Sequence, residues 1–282
     1  MSVPVSVPRR VTSVAFAAVL LAGGSVACGG GAKSDSAVAA PPKATPAAAV
    51  AKAAKNSEGI TSLHYRISGT VPAKGRLEAE ASMNTKPLAM SMKMTAAADQ
   101  GGGHHLEIRF VDEAMYVGGS GVSSEKLNGK SWLSAAPATW GRSAVDNQSY
   151  GVLPSQLQGN PTAQSTLLTG SKDLRLIGTE TVDGARTTHY KGTVDSDGLI
   201  RERLDQFIQL EVSDPLTMDL WIDGDNHTKQ FRMRAEHNDM LAGTGDGPLD
   251  LTVTFLDINQ PVTVKAPPTK DTVPLADDAQ EG

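Results

Sequence analysis

Apolar and polar residues alternate along most of the middle of this chain, which predicts β-strands. In the clearest run, Leu77, Ala79, Ala81 and Met83 are apolar, and the residues between them are polar or charged. Alternation of this kind places every apolar side chain on the same face of an extended strand. We predict about eleven strands, at residues 63–71, 77–84, 88–94, 106–110, 113–117, 131–134, 174–182, 185–194, 216–222, 228–238 and 248–256.

Short turns connect most of these strands. Asp183-Gly184 separates two of the runs, and this dipeptide favours the type I′ turn of a β-hairpin because both residues accept positive φ. Pro87 lies between two other runs and belongs to a turn. Since parallel strands would need long crossover connections, the short turns predict an α+β fold with a single antiparallel sheet.

Two segments carry helical signals. Thr45-Pro46 has the form of an N-cap followed by proline at the first helical position, which predicts a helix ending near Lys55. From Asp197 to Glu211, apolar residues recur every three or four positions, which predicts an amphipathic helix. Its apolar stripe consists of Ile200, Leu204, Phe207 and Ile208. Residues 138–170 lack alternation and are predicted to form helical turns and loops.

The N-terminal residues have the layout of a secretory signal. Arg9 and Arg10 precede an uncharged apolar stretch, and small residues then lead to Cys28, the only cysteine. This layout resembles a bacterial lipoprotein signal, although Ser25 stands where that pattern usually has leucine. We predict that residues 1–27 are removed and that acyl chains of the palmitate type on Cys28 anchor the protein. The alternative is an ordinary secreted protein with an isolated cysteine.

Composition divides the rest of the chain into three parts. Residues 28–46 are mainly Gly, Ala, Ser, Pro and Lys, and predict a disordered, lipidated tether. Residues 47–265 contain the strands and helices of one domain. Residues 266–282 are rich in proline and acidic residues, and predict a flexible tail. No later segment has the length and hydropathy of a membrane span, so we expect a protein anchored through Cys28 on the outer face of the cytoplasmic membrane.

The charge pattern argues against nucleic-acid binding. The net charge is −5 and both signs are spread along the chain, without a basic run. A single cysteine also excludes an internal disulfide, so the fold depends on its core.

No residue pattern predicts catalysis, a metal or a cofactor. His104 and His105 are adjacent in a predicted strand, and their side chains therefore point to opposite faces. The run 223–226 (Asp-Gly-Asp-Asn) lacks the spacing of an EF-hand loop and predicts a turn. The glycine-rich runs 118–121 and 243–247 lack the context of a nucleophile elbow and of a dinucleotide loop, respectively. We predict a protein that is not an enzyme, with a serine–histidine pair formed in space as the remaining alternative.

Four segments occur in an order familiar from one family of envelope lipoproteins. They are His64–Gly69, Gly129–Leu133, Gly178–Tyr190 and Asp219–Asp223. Over roughly residues 47–265, the chain resembles the LppX/LprG group from high-GC Gram-positive bacteria, which is similar in fold to the lipoprotein carrier LolA. The resemblance implies an incompletely closed antiparallel half-barrel, with helices over its concave face and an apolar cavity between them. Members of the group are associated with binding or moving lipids and lipoglycans.

An apolar cavity would be lined by inward residues of the sheet and of the helix at 197–211. The inward positions are rich in methionine, a flexible residue that adapts to irregular apolar shapes. Plain core packing explains the same methionines, so both interpretations stay open. Under the ligand interpretation, the predicted lining is Met83, Leu88, Met90, Met92, Met94, Ile108, Phe110, Ile200, Leu204, Phe207 and Ile208.

These features together predict a lipoprotein that binds a lipid or another acylated molecule, with carriage of that ligand as an extension of the function. The alternative is a sensor or scaffold that does not transport and instead binds a protein partner. We expect a monomer without a nucleic-acid partner, and the sequence identifies no particular protein partner.

Overall fold

The computed structural model of the protein describes residues 44–71, 75–96, 104–122, 124–136, 161–194, 215–236 and 248–275. All of them belong to one compact unit, Lys43–Gly282. The predicted signal peptide, nearly all of the tether and the glycine-rich run at 243–247 lie outside the described residues. The predicted helix from Asp197 to Glu211 also lies outside them.

Helix α1, Pro46–Ser57, begins where the sequence predicts. Thr45 is its N-cap, and the Thr45 Oγ1 accepts a hydrogen bond from the backbone N–H of Ala48 at 3.2 Å. Proline suits the first position because the N–H that it lacks would have no partner within the helix. Val50 and Ala53 form the buried side of the helix. The helix extends two residues beyond its predicted end.

In the described residues, twelve strands form one sheet. Their bounds are Ser62–Val71 (β1), Gly75–Thr85 (β2), Leu88–Ala96 (β3), His104–Val111 (β4), Ala114–Gly118 (β5), Trp132–Ala135 (β6), Arg175–Val182 (β7), Ala185–Val194 (β8), Leu216–Asp223 (β9), Thr228–Ala235 (β10), Leu249–Ile258 (β11) and Thr272–Pro274 (β12). The other elements are the short helix Ser124–Leu127 (α2) and the 3₁₀ helices Pro161–Gly170 and Thr269–Asp271. The sequence predicts the first eleven strands and misses β12, which is too short for alternation to be visible.

The strands follow the order β12-β6-β5-β4-β3-β2-β1-β11-β10-β9-β8-β7. Strands β1 to β6 form one meander and strands β7 to β11 form another, with antiparallel neighbours throughout. The pairing of β12 with β6 is parallel. The prediction of one curved, open antiparallel sheet with helices is confirmed.

The two meanders are joined by the pairing of β1 with β11. The register runs from Leu63 opposite Ile258 to Thr70 opposite Asp250. Close to this second end, Gly69 has a φ of 149°, and a Cβ placed there would lie 1.9 Å from the backbone oxygen of Asp250. Glycine therefore permits both the backbone conformation and the close approach of the two strands.

The hairpin of β7 and β8 has the predicted turn. Val182 pairs with Ala185, and the two residues between them, Asp183 and Gly184, have φ values of 47° and 77°. Positive φ at both central positions defines the type I′ geometry.

The hydrophobic core lies on one face of the sheet, which we call the inner face. Alternate residues of each strand point into it, such as Tyr65 of β1 and Phe255 of β11, whose ring centroids are 6.3 Å apart. Helix α1 and the first 3₁₀ helix pack against each other, and both contact β10. Val50, Leu167 and Leu168 from these helices enter the same core. The helical turns predicted within 138–170 are thus present in the described part of that segment.

Residues 259–271 form a strap across the opposite, outer face of the sheet. The side chain of Asn84 donates a hydrogen bond to the carbonyl of Val262 at 2.8 Å. The Nη1 of Arg109 donates to the carbonyl of Lys265 at 3.0 Å. Both side chains alternate with inner-face residues in their strands, so the C-terminal strap crosses the sheet from β1 toward β6.

Strand β12 fixes the end of the C-terminal strap at the sheet edge. The backbone N–H of Ser131 donates to the backbone carbonyl of Asp271 at 3.1 Å. The N–H of Leu275 donates to the backbone carbonyl of Ser134 at 2.8 Å. The prediction of a flexible tail from residue 266 is therefore wrong as far as Leu275. Backbone hydrogen bonds hold this segment, and its proline-rich composition does not reveal them.

Five polar side chains from β7, β8, β9 and β10 form an outer-face cluster. They are Glu180, His189, Asp219, Trp221 and Arg234. The His189 Nδ1 lies 2.7 Å from Glu180 Oε1, and its Nε2 lies 2.9 Å from Asp219 Oδ1. The Trp221 Nε1 donates to Glu180 Oε2 at 2.9 Å, and its ring stacks on His189 with centroids 4.3 Å apart. Arg234 donates to the second oxygen of Asp219.

The outer-face cluster holds four strands together. A carboxylate only accepts hydrogen bonds, so His189 donates to both acids when its two ring nitrogens carry protons. Two hydrogen bonds lower the pKa of Glu180 below its usual range, and the one from Trp221 has a larger effect than the one from His189. Only 5% of the Asp219 side chain is exposed, so water does not readily replace its partners. The edge strand β7 is thereby linked through side chains to β8 and β9, and through Asp219 to β10.

Gly69→Ala should destabilise the protein by about 3 kcal/mol or more, because the new Cβ would collide with the β11 backbone. Urea unfolding followed by circular dichroism measures this loss. The matched control is Gly178→Ala in β7, where a Cβ meets no atom within 4 Å. The control should stay within about 0.5 kcal/mol of the wild type. Equal effects of the two changes would contradict the role given to Gly69.

Asp219→Ala should lower the free energy of unfolding by about 3 kcal/mol, because His189 and Arg234 would both lose a shielded acceptor. The control is Asp257→Ala, which removes a carboxylate that is 58% exposed and 3.5 Å from His64. That change should cost at most about 1 kcal/mol. Urea unfolding of both variants checks the difference, and a small effect at Asp219 would show that the outer-face cluster contributes little stability.

Candidate functional site

Methionine is the distinctive side chain of the inner face. Every methionine in the described part of the chain is buried in the single core cluster. These residues are Met83, Met90, Met92, Met94, Met115, Met218 and Met233. Unbranched thioether side chains can change rotamer without losing contact area, so such a face can repack around different apolar shapes.

The cross-strand register places the methionines side by side. Met83 of β2 pairs with Met90 of β3, and Met90 pairs in turn with Phe110 of β4. Met92 lies between Ala81 and Ile108 in the same way. Directly opposite residues in a sheet are in side-chain contact, so these residues form a continuous apolar surface across three strands.

Some of the residues predicted to line a ligand site fall within the described ranges, and these residues lie on this surface. Buried residues of the set are Met83, Met90, Met92, Met94, Ile108 and Phe110, and Leu88 packs against them from a partly buried position. The other predicted members, Ile200, Leu204, Phe207 and Ile208, lie outside the described residues. Their contribution to a ligand site therefore stays a prediction.

Small residues separate the larger ones on β2. Ala79 and Ala81 are buried on the inner face, where β1 places Ile67 and Tyr65 opposite them. The Tyr65 hydroxyl lies 3.9 Å from the sulfur of Met90. Complete burial raises the pKa of Tyr65 far above its usual value, so the phenol is neutral and adds no charge to this surface.

Buried polar residues of the first 3₁₀ helix border the same core. Thr162, Gln164 and Ser165 are almost completely buried, and the Gln164 side chain lies 3.6 Å from the sulfur of Met233. The sequence does not predict this feature, because residues 138–170 show no periodicity that would mark an inward face. The inner face consequently combines a methionine-rich region on β2 to β5 with a more polar border near β10.

The outer-face cluster has the residue types of an acid–base site, but these side chains already form hydrogen bonds with one another. Glu180 accepts from Trp221 and faces His189, and Asp219 accepts from Arg234 and faces the other nitrogen of that imidazole. We assign these residues a structural role. Four of them, Glu180, His189, Asp219 and Trp221, lie in two of the segments that carry the family resemblance, although spacing alone does not reveal their contact.

Two other candidate motifs, the runs at 118–121 and 223–226, are turns in the described residues. In the run at 223–226, Asp223 Oδ1 accepts from the N–H of Asp225 at 3.0 Å and of His227 at 2.8 Å. In the run at 118–121, a Cβ at Gly119 would lie 2.3 Å from the backbone oxygen of His105, and Ser120 Oγ accepts from the N–H of His105. Within the described residues, no group of three or more His, Cys, Asp or Glu side chains could hold a metal ion.

The helices in the described ranges are all too short or too polar to cross a bilayer.

A solved structure with the same architecture is that of LprF from Mycobacterium bovis. The TM-score is 0.52 at 14% sequence identity, with 79% of this chain and 96% of the LprF chain covered. The structure of the lipoprotein LppX from Mycobacterium tuberculosis gives a TM-score of 0.47 at 17% identity, covering 78% and 98% of the two chains. The likeness to LprF supports the LolA-like fold, and at this identity it supports the fold alone.

Two sequence comparisons add to this likeness. An uncharacterized 31.2 kDa protein from the rplA-rplJ intergenic region of Streptomyces griseus is 25% identical over 198 residues, which cover 66% of this chain. The match spans 62% of the length of that relative. The family model of the LppX_LprAFG lipoproteins matches residues 45–264, nearly the whole described fold. This chain therefore belongs to the LppX_LprAFG lipoprotein family.

Proposed function

We propose that this protein is a membrane-anchored envelope lipoprotein that binds a lipid or another acylated molecule on its inner face, and carries it, without catalysis. The observation that supports this most is the methionine-rich surface of β2 to β5. A core needs only well-packed apolar residues, whereas a site for variable acyl chains also needs residues that can repack.

The mechanism we propose is shielding of acyl chains from water. Burial of apolar surface is worth roughly 25 cal/mol per Å², so a long acyl chain gains substantially from leaving water for the inner face. The neutral Tyr65 and the uncharged methionines impose no electrostatic selection on such a chain. In this proposal, the predicted lining residues Ile200, Leu204, Phe207 and Ile208 complete the site.

The lipid anchor at Cys28 would keep this domain close to the source of its ligand. In this proposal, residues 1–27 are removed, residues 28–46 are a tether, and the protein acts on the outer face of the cytoplasmic membrane as a monomer. Membership of a lipoprotein family supports the anchor, since acylation of one cysteine defines such proteins.

Native mass spectrometry of the mature chain, purified without detergent, should detect co-purified lipid. Exchanging Met90 and Met92 for leucine should narrow the range of bound acyl lengths, because leucine has similar volume and less rotamer freedom. The same exchange should change the free energy of unfolding by less than about 1.5 kcal/mol.

The matched control for this experiment is the exchange of Met218 and Met233 for leucine. These two residues face each other on β9 and β10, are fully buried, and are not part of the predicted lining. The control should leave the lipid profile unchanged. Empty wild-type protein would refute lipid binding, and a stable protein partner captured instead would favour the scaffold alternative.

Cys28→Ala should release the protein from the membrane fraction without unfolding it, because the anchor and the folded unit are separate parts of the chain. Fractionation followed by detergent partitioning measures the release, and circular dichroism of the released protein checks the fold. Ser25→Leu, which restores the usual signal pattern, is the control and should stay in the membrane fraction. Retention of Cys28→Ala in the membrane would refute the acyl anchor.

A further inference from the structure

Strand β7, at one edge of the sheet, exposes two adjacent large apolar side chains. Leu176 is 55% exposed and Ile177 is 46% exposed. In a regular strand, neighbouring side chains point to opposite faces, and here each is uncovered. We call these two residues the apolar edge pair.

A register shift in β7 leaves Ile177 of the apolar edge pair without a cross-strand partner. Leu176 pairs with Tyr190 and Gly178 pairs with His189, so Ile177 has no partner in the register between them. A register shift of this kind re-aims a side chain and disturbs the hydrogen-bonding edge of the strand. Because strand addition requires a regular edge, the shift disfavours pairing with an incoming strand of another protein.

Basic residues surround the apolar edge pair. Lys172 is exposed in the turn before β7, and Arg175 directly precedes the pair. Lys191 of β8 is the cross-strand partner of Arg175. Like charges directly opposite each other in a sheet repel, so the fold itself gains nothing from this arrangement. An anion bound beside the two side chains would relieve the repulsion.

The neighbouring acids compensate this basic rim only in part. Asp173 lies 3.6 Å from Arg175, and hydrogen bonds from the backbone and side chain of Thr193 lower its pKa, so this carboxylate is charged and offsets one of the three cations. Asp219 pairs with Lys191 in the register, but its two oxygens contact His189 and Arg234. Both carboxylates are thus engaged in holding the fold.

We propose that the edge of β7 docks the protein on an anionic membrane surface, with Leu176 and Ile177 inserted among the lipids and Lys172, Arg175 and Lys191 at the headgroups. An apolar centre with a cationic rim matches the apolar interior and negative surface of such a membrane. This proposal rests on the proposed lipid-binding function, and it assigns the surface through which the protein meets the bilayer that supplies or receives its ligand.

Vesicle co-sedimentation tests the proposal with the mature chain from residue 28 carrying Cys28→Ser, so that no acyl anchor contributes. The protein should bind vesicles of phosphatidylcholine mixed with phosphatidylglycerol, bind phosphatidylcholine alone weakly, and lose affinity as salt is raised. Lys172→Gln with Arg175→Gln should weaken binding roughly tenfold or more, since each cation near such a surface contributes about fivefold. Leu176→Ser with Ile177→Ser should also weaken it.

The matched control is Lys52→Gln with Lys265→Gln, which removes two exposed cations elsewhere and should leave vesicle binding unchanged. Equal losses in this control and in the edge variants, or equal binding to both kinds of vesicle, would overturn the proposal. A dimer in analytical ultracentrifugation that only the edge variants abolish, with vesicle binding intact, would identify a protein interface instead.

Native mass spectrometry of the same samples separates the two proposals. Edge variants that keep their bound lipid but lose vesicle binding would support the docking surface. A lipid-loaded wild type that does not bind vesicles would overturn the docking surface alone. An empty wild type would overturn the proposed function.

Discussion

The whole sheet depends on one long-range pairing, that of β1 with β11. Each meander can form its own turns locally, but neither alone covers the core, and the antiparallel ladder between these two strands makes them one surface. The ring of Phe255 packs in tilted geometry against Tyr65 and against Phe231, with centroid distances of 6.3 and 6.0 Å. Gly69 lets the strands approach where a larger residue would collide. The inner face, and with it the proposed ligand site, exists only when this junction is closed.

The sequence predicts the parts of this fold whose signals are local. Alternation reveals the strands, Asp183-Gly184 reveals a hairpin, and Thr45 reveals the start of α1. It does not reveal β12 or the C-terminal strap, because a few backbone hydrogen bonds to Ser131 and Ser134 leave no pattern in composition. For the site, alternation places Met83, Met90, Met92 and Met94 on one apolar face, where they are buried, but it does not distinguish a packed core from a cavity. The outer-face cluster is missed because its members meet only through strand register.

The segments that carry the family resemblance have structural roles. Gly178–Tyr190 and Asp219–Asp223 supply Glu180, His189, Asp219 and Trp221 of the outer-face cluster. The first segment ends in Gly69 at the β1–β11 junction. The segment Gly129–Leu133 contributes Ser131 to the contact with the strap, and it places Trp132 beneath Arg109 at 4.7 Å. In this chain, residues of all four segments therefore help to hold the open sheet together.

The position of β1 in the sheet has a consequence for how the protein acquires its shape. The chain is synthesised and emerges from its N-terminus, so the strand that will occupy the middle of the sheet appears first. The backbone N–H of Thr61, directly before β1, donates a hydrogen bond to Oδ1 of Asn259, which is 198 residues downstream. Until that late segment arrives, β1 offers an unpaired apolar edge, and contacts of such large sequence separation form slowly. Before β11 is available, the strand that will lie in the middle of the sheet is therefore the part of the nascent chain most prone to unwanted association. Binding to a chaperone or a membrane surface would protect it during this time.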